Sequence, residues 1–126
     1  KTFDRLMGTA DNSKPTVKFI PIKKSGKIAL IPISQVFYIQ ADGHYTMLHL
    51  ADQSKVINDH SLEKLLVLLP GSFIRIHRSF IVDLQHATEI RKYPGSKVEL
   101  VLKDGTTLPI GRSRLQDVQR QMMANF

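Results

Sequence analysis

The stretch FIRIHRSFIVD, residues 73–83, decides how the chain folds because it contradicts a simple strand pattern. In an uninterrupted β-strand, alternate side chains share one face, which would place Arg78 among apolar residues. Those apolar residues are Ile74, Ile76, Phe80 and Val82. Burying an arginine without a partner is unfavourable. Two interpretations therefore remain open: the strand breaks at residues 77–79 and exposes Arg78, or an acidic residue pairs with Arg78 inside.

Short apolar runs separated by turn signals predict a mostly β protein on either side of this stretch. The runs are VKFIPI, KIALIPI, VFYIQA, YTMLHL, KVIND, FIRIH, SFIVD, TEIRKY, KVELVL and TTLPI. The pairs Asp42-Gly43 and Asp104-Gly105 are strong hairpin signals, because glycine accepts positive φ without penalty. Pro21, Pro32 and Pro109 lie inside or beside strand-like runs. Proline cannot donate to a ladder, so these runs are expected at edges, strand ends or bulges.

Two segments have a helical pattern instead. In SLEKLLVLLP, residues 61–70, leucines recur at helical spacing and Ser61 can cap the first turn. In SRLQDVQRQMM, residues 113–123, Ser113 and Gln116 match a capping box. A narrower apolar stripe follows, formed by Leu115, Val118 and Met122. We therefore expect a short leucine-rich helix and a C-terminal helix.

Length and composition limit the class of protein. A chain of 126 residues is about one domain, and 42% hydrophobic with 23% charged residues is typical of a globular protein. No apolar run reaches the roughly 18 residues of a transmembrane helix. The beginning, KTFDRLMGTADNSKP, lacks the basic and apolar regions of a secretory signal. Cysteine is absent, which excludes disulfides and favours a cytoplasmic location.

The net charge of +7 and the pI near 9.9 make a polyanion the first partner to consider. Residues 1–70 carry nine Lys/Arg against six Asp/Glu, and residues 71–126 carry nine against five. The excess is thus +3 and +4, spread along the chain rather than concentrated in a tail. Charge alone leaves open whether the partner is a nucleic acid.

Catalytic and metal-binding patterns are weak. The histidines stand at 44, 49, 60, 77 and 86, without a helical His-x-x-x-His pair and without cysteine ligands. His77, Ser79 and Asp83 supply the letters of a catalytic triad, but no nucleophile elbow or phosphate-binding glycine loop accompanies them. We expect no enzyme activity, no metal and no cofactor.

Polar and basic residues at turns form the remaining pattern. His44 follows Asp42-Gly43, Arg78 lies at the break in residues 73–83, and Arg112 precedes the last helix. A loop-borne arginine can present its planar fork to guanine O6 and N7, and histidine can donate to base or phosphate acceptors. His44, Arg78 and Arg112 are therefore candidate base-contacting residues.

Three neighbours of these residues are candidate phosphate contacts: Ser79, Ser113 and Arg114. Ser113 would be helped by the free N–H groups at the start of the following helix. The alternative explanation is that turns are usually polar and exposed arginines are common, so each residue by itself is unremarkable.

Three segments resemble the LytTR family of bacterial DNA-binding domains, over about residues 18–118. They read IPISQVFYIQADGHYTMLHL, SLEKLLVLLPGSFIRIHRSFIVDL and LKDGTTLPIGRSRL. The middle segment is the most specific, because its Phe-x-Arg-x-His-Arg-Ser core follows a leucine-rich helix. The third resembles the family's closing hairpin and Pro-apolar-small-Arg loop.

The resemblance implies an elongated, mostly β fold of about ten strands in three small sheets. DNA would be read by three loops in successive major grooves, with bending between them, and not by a recognition helix. The positions that match the family's reading residues are His44, Arg78 and Arg112, and Arg78 would then project outward. Asp83 stands where asparagine is frequent, and Gly111 where serine is frequent, which could loosen the loop carrying Arg112.

The resemblance also implies partners. Such domains are usually the output part of transcription regulators, follow a receiver or another sensory domain, and bind pairs of direct repeats as dimers. Residues 1–15 would then be the linker from a missing upstream sensory domain, and residues 16–126 the DNA-binding domain. A protein-interaction β domain without DNA readout remains the alternative. RNA binding has less support, since aromatic residues make up only 7% of the chain.

Overall fold

The fold comes from a computed structural model that describes residues 18–124, apart from the side chain of Lys24. The predicted linker at residues 1–15 lies outside the described residues. Ten strands follow one another along the described chain: β1 Phe19–Lys24, β2 Lys27–Pro32, β3 Val36–Asp42, β4 Tyr45–Leu50, β5 Lys55–Asn58, β6 Phe73–His77, β7 Phe80–Asp83, β8 Ala87–Tyr93, β9 Lys97–Leu102 and β10 Thr107–Pro109. The mostly β prediction is confirmed.

The two predicted helices are present: α1 spans Leu62–Leu68 and α2 spans Leu115–Ala124. Three short 3-10 turns, Ile33–Gln35, Leu84–His86 and Arg112–Arg114, connect the other elements. All strand pairs are antiparallel and form three sheets, as the resemblance implied. A five-stranded sheet has the order β5-β4-β3-β7-β6, a two-stranded sheet pairs β1 with β2, and a three-stranded sheet has the order β10-β9-β8.

The segment FIRIHRSFIVD is a hairpin rather than one strand. β6 ends at His77, Arg78 and Ser79 form the turn, and β7 begins at Phe80. The pairing register shifts between Arg75 and His77, so Ile76 still reaches the core while Arg78 is exposed. The strand break is therefore the correct interpretation, and no acidic partner inside the protein is needed.

Two apolar clusters lie on opposite faces of the five-stranded sheet. The first combines that sheet with β1 and α1; its buried members are Ile20, Ile22, Ile33, Val36, Ile39, Leu48, Val56, Leu62, Leu65, Leu69, Phe73 and Ile81. The second combines β6 and β7 with the three-stranded sheet and α2; its buried members are Ile76, Val82, Leu84, Leu100, Leu102, Leu108, Ile110 and Val118. Each fully buried aliphatic side chain stabilises the fold by about 1.5–3 kcal/mol. β7 contributes Ile81 to one cluster and Val82 to the other.

Local signals explain most element boundaries. The Ser61 side chain accepts a hydrogen bond from the Lys64 N–H at 3.1 Å, which confirms the predicted cap of α1. Pro21 lies in the two-stranded sheet, and Pro32 and Pro109 end β2 and the edge strand β10. Proline thus stands where its missing N–H is tolerated.

The start of α2 differs from the prediction. Ser113 lies inside the 3-10 turn Arg112–Arg114, and Gly111 occupies the N-cap position of that turn. The Arg114 N–H already donates to the Gly111 carbonyl at 2.9 Å, so the N-cap lies at Gly111, before the expected Ser113. Within the described residues no side chain caps this turn, and the Ser113–Gln116 capping box was a wrong prediction.

The five-stranded sheet has two ends that matter for function. One end, called the turn end below, contains Asp42, Tyr45, Asn58, His77 and Phe80. The opposite end contains Val36, Leu50, Lys55, Phe73 and Asp83. Because every pair is antiparallel, alternate connections of the sheet come together at the turn end.

Candidate nucleic-acid interface

His44 lies in the two-residue turn that joins β3 to β4 at the turn end. Gly43 precedes it with φ of 63°, a conformation that disfavours side chains with a Cβ and explains the Asp-Gly signal at Asp42-Gly43. The turn is tight, and the His44 side chain is exposed. This geometry presents an imidazole to solvent at a fixed point of the sheet.

Arg78 lies in the next turn, between β6 and β7. Its side chain is exposed, whereas that of Ser79 is half-buried. The Ser79 carbonyl accepts a hydrogen bond from the Ala41 N–H at 2.8 Å. This bond joins the Arg78 turn to the end of β3, which leads directly into the His44 turn.

Arg112 begins the third turn, after Gly111. The Gly111 N–H donates to the Ile76 carbonyl at 2.7 Å, so this turn lies against the end of β6. Arg112 and Ser113 are exposed and Arg114 is half-buried. The candidate phosphate contacts therefore lie in the same two turns as the candidate base-contacting arginines.

The three turns form a continuous series at the turn end, which we call the turn row. It consists of Gly43–His44, Arg78–Ser79 and Arg112–Arg114. A backbone hydrogen bond of 2.8 Å joins Ser79 to Ala41, just before the His44 turn, and one of 2.7 Å joins Gly111, just before Arg112, to Ile76 of β6. Although the turns are far apart in sequence, the antiparallel sheet places His44, Arg78 and Ser79 at the turn end. The bond from Gly111 to Ile76 holds the turn of Arg112, Ser113 and Arg114 against the same end of that sheet.

Arg75 belongs to this region and was not predicted. Its Nη2 donates to the Arg78 carbonyl at 2.6 Å, and its Nε donates to the His77 carbonyl at 3.3 Å. One planar guanidinium thus holds two successive carbonyls at the turn. The sequence includes Arg75 in the Phe-x-Arg-x-His-Arg-Ser core, but its hydrogen bonds to the turn depend on the register shift in β6 and were not predicted.

His77 supports the same turn from the other side. Its Nδ1 accepts a hydrogen bond from the Ser79 N–H at 3.1 Å, which requires an unprotonated Nδ1. Burial lowers the pKa of His77, and the positive charges of Arg78, Arg114 and Arg75 lower it further. Neutral imidazole is therefore the form compatible with this turn.

The three residues that could form a catalytic triad, His77, Ser79 and Asp83, are not grouped in the structure. Asp83 pairs with Phe73 at the opposite end of the sheet from His77. It is buried, accepts a hydrogen bond from the Gln85 N–H at 3.0 Å and lies 3.7 Å from His86 Nε2. The departure from asparagine at position 83 consequently lies away from the turn row.

Arginines give the turn row its charge. Arg75, Arg78, Arg112 and Arg114 all lie in or beside its last two turns. Among residues 18–124, no carboxylate lies within ion-pair distance of any of them. No carboxylate of residues 18–124 therefore competes with an anion or a base edge for the exposed forks of Arg78 and Arg112.

Other kinds of site have little support in the described part of the chain. In residues 18–124, no three His, Asp or Glu side chains are grouped so that they could hold a metal ion. Neither of the helices described here has the length and apolar character needed to cross a bilayer.

The fold is a β-rich domain with exposed basic turns at one end of its largest sheet. A sequence profile described as the LytTr DNA-binding domain matches residues 26–123, and the chain belongs to this family. Among solved structures, a LytTr DNA-binding domain from Bacillus cereus has a TM-score of 0.74 and 27% identity, covering 84% of this chain and 97% of that one. The fold implied by the resemblance is confirmed.

Curated relatives are longer than this chain. The heme-containing CO-sensing transcriptional regulator RcoM 1 of Paraburkholderia xenovorans (strain LB400) is 36% identical over 110 residues, which are 85% of this chain and 40% of the relative. The sensory transduction protein LytT of Bacillus anthracis is 31% identical over 102 residues, 80% of this chain and 40% of the relative. The chain thus spans about two fifths of either protein's length.

Proposed function

We propose that this chain binds double-stranded DNA in a sequence-specific manner, as the output domain of a bacterial transcriptional regulator, with no catalytic step. The turn row would enter successive major grooves. The domain would read bases from loops instead of from a recognition helix.

One observation carries this proposal: the three candidate base-contacting residues are exposed on turns that backbone hydrogen bonds attach to the same end of the five-stranded sheet. A side chain on a turn that is already ordered before binding loses less conformational entropy when it contacts a base. The sheet supplies that rigidity, because the turns are only two or three residues long and flanked by strands, or by α2.

The roles of the residues follow from their chemistry. Arg78 and Arg112 would each present a planar fork to guanine, worth about 1–3 kcal/mol of discrimination if bidentate. His44 would contact a further base. Ser79, Ser113 and Arg114 would contact phosphates, which position the domain and make its affinity fall with salt.

In the complete protein we expect a sensory domain upstream and binding to paired direct repeats as a homodimer. The relatives support the first part, since their names describe a CO-sensing regulator and a sensory transduction protein. The share of their length left unmatched is enough for another domain.

The test begins with selection of bound duplexes from a random pool. Arg78→Ala and Arg112→Ala are then compared with wild type by gel shift on the selected site and on random duplex. Each variant should lose much more affinity for the selected site than for random DNA. Lys103→Ala, the same change of charge at the opposite end, is the control and should keep the ratio of the two affinities. Equal losses on both duplexes would reduce Arg78 and Arg112 to general phosphate contacts.

A protein-interaction function is the second candidate, because the outer face of the two-stranded sheet exposes apolar side chains. Ile28 is 68% exposed and Leu30 is 59% exposed. An apolar patch can mark a protein-binding surface. If this were the main function, a partner captured from the source cell would stay bound in the presence of excess duplex DNA, and the turn-row variants would retain it.

A further inference from the structure

We propose that the tip of the β1–β2 hairpin is a fourth DNA contact, in which Lys23 and Lys27 bind backbone phosphates beside the His44 turn. This inference rests on the proposed function above. It extends the interface beyond the turn row to a segment that none of the sequence signals assigned to DNA.

The hairpin runs along the five-stranded sheet from the opposite end to the turn end. Its base lies at the opposite end, where Phe19 and Pro32 line a groove together with Phe73 and Asp83. β1 and β2 then pair without a register shift from Phe19 and Pro32 to Lys24 and Lys27. The six residues of β1 are enough to cover a sheet whose strands have four to seven residues.

The tip reaches the turn end. Lys23 and Ile28 line one groove together with Tyr45 and Asn58. Tyr45 is the residue directly after His44, and Asn58 ends β5 at the same end of the sheet. The lysine-bearing tip is therefore the neighbour of the His44 turn, on the side away from the Arg78 turn, because β5 and β7 flank the β3–β4 pair on opposite sides.

The shape of the tip is well defined. Ser25 and Gly26 connect the strands, and both have positive φ, 24° and 79°. A two-residue connection of this kind matches the twist of the strands and makes a tight hairpin. Lys24 and Lys27 pair directly beside this connection, and Lys23 stands one position further from it. Lys27 is on the face of Ile20 and Ile22, whose buried side chains anchor the hairpin, and Lys23 is on the opposite face, so the tip carries positive charge on both faces.

The chemistry of the tip fits phosphates better than bases. Lys23 and Lys27 are exposed, and among residues 18–124 no carboxylate lies within ion-pair distance of either ammonium group. Asp59 lines the same groove as Lys23 without pairing with it. A lysine is a point charge on a flexible stem, which neutralises phosphate but lacks the planar fork that reads a base pair.

A double substitution tests the inference in the complete chain. Lys23→Gln with Lys27→Gln removes two charges at the tip; Lys55→Gln with Lys103→Gln removes two at the opposite end, where Lys55 begins β5 and the Lys103 N–H bonds to the His86 carbonyl. Dissociation constants for the selected site and for random duplex are measured by fluorescence anisotropy between 50 and 200 mM salt. Melting temperatures of all variants show whether they remain folded.

We expect the tip variant to lose affinity by the same factor on both duplexes, with the slope of log K against log salt smaller by about 2. The opposite-end variant should keep the wild-type slope. Removing base pairs from the end of the duplex next to the base read by His44 should abolish the difference between wild type and the tip variant.

An unchanged slope in the tip variant, or an equal loss in both double variants, would overturn the fourth contact. If the tip variant binds like wild type while Arg78→Ala loses specificity, only this inference fails. If wild type binds no duplex at all, the proposed function fails and the hairpin contact fails with it.

Discussion

The Arg75 guanidinium donates to the backbone carbonyl of Arg78 at 2.6 Å, so one arginine holds the turn that carries another. A second donor of the same group reaches the His77 carbonyl at 3.3 Å. A side chain three positions earlier thus restrains the backbone from which Arg78 projects. Restricting the turn in this way would favour a single mode of contact with a base.

Arg75→Lys separates geometry from charge. Lysine keeps the positive charge but cannot hold two carbonyls with one planar group. We expect the ratio of specific to random affinity to fall about tenfold, which is roughly 1.4 kcal/mol, while the salt slope stays the same. Binding isotherms on both duplexes check this. If Arg75→Lys binds like wild type and Arg75→Ala does not, Arg75 contributes only charge.

The stability of the domain should fall as the pH is lowered through the titration of His77. Because the folded-state pKa of His77 is below its value in the unfolded chain, folding favours the neutral ring. The contribution is fully present above the unfolded pKa of about 6.5 and is lost as the pH falls through the lower, folded-state value. Burial and the charge of Lys55 lower the pKa of His49 as well, so His49 contributes with the same sign.

Urea unfolding at pH 7.5, 6.5 and 5.5 measures this effect. In His77→Asn, the amide oxygen can still accept from the Ser79 N–H but does not titrate. We therefore expect a shallower fall of the free energy of unfolding with pH in this variant, the remainder coming from His49. A pH dependence identical to wild type would show that the His77 ring does not titrate as its surroundings imply.

Gly111→Ala should stabilise the domain by about 0.4–1 kcal/mol, because alanine reduces the freedom of the unfolded chain. Gly111 has φ of −67°, which alanine adopts readily, and an added Cβ would lie 3.7 Å from the Ile76 carbonyl oxygen. Gly43→Ala is the matched comparison and should destabilise, since φ is 63° there. Denaturant midpoints decide the sign of both changes; a destabilised Gly111→Ala would mean that the turn needs glycine.

Val118 anchors α2 behind the turn Arg112–Arg114. It is 0% exposed, whereas Met123 on the same helix is 80% exposed. Val118→Ala should cost about 1–3 kcal/mol through lost burial and a residual cavity. Met123→Ala should stay within about 0.5 kcal/mol of wild type. Thermal unfolding of both variants measures the difference, and similar losses would argue against this anchoring.

Much of the fold was predictable because its signals are local. Alternating runs bounded by Asp-Gly pairs identify hairpins one at a time, and Ser61 with its leucines identifies α1. The start of α2 was predicted wrongly because the Ser-x-x-Gln pattern considers only side-chain caps, whereas backbone hydrogen bonds determine where this helix begins. The 3-10 turn is set by Gly111, whose backbone bonds to Ile76 far away in sequence.

The candidate site was predictable in part for the same reason. His44 and Arg78 stand where the strand pattern breaks, and Arg112 stands beside a helix, so each could be found singly. That these residues lie close together could be predicted only from the order of the strands in the sheet. The bond of Arg75 to a backbone carbonyl depends on a register shift in β6, which the sequence pattern does not reveal. Whether these residues contact DNA remains a prediction.

The position of strand β7 between the two apolar clusters determines how this domain unfolds. Ile81 and Val82 are both 0% exposed and belong to different apolar clusters, so the two halves of the molecule meet in consecutive residues of one strand. Neither half can melt without withdrawing support from the strand that begins directly after Arg78 and Ser79. Damage anywhere in either core should therefore act on the domain as an all-or-none loss, in which a chain with a disrupted core loses the Arg78 turn altogether.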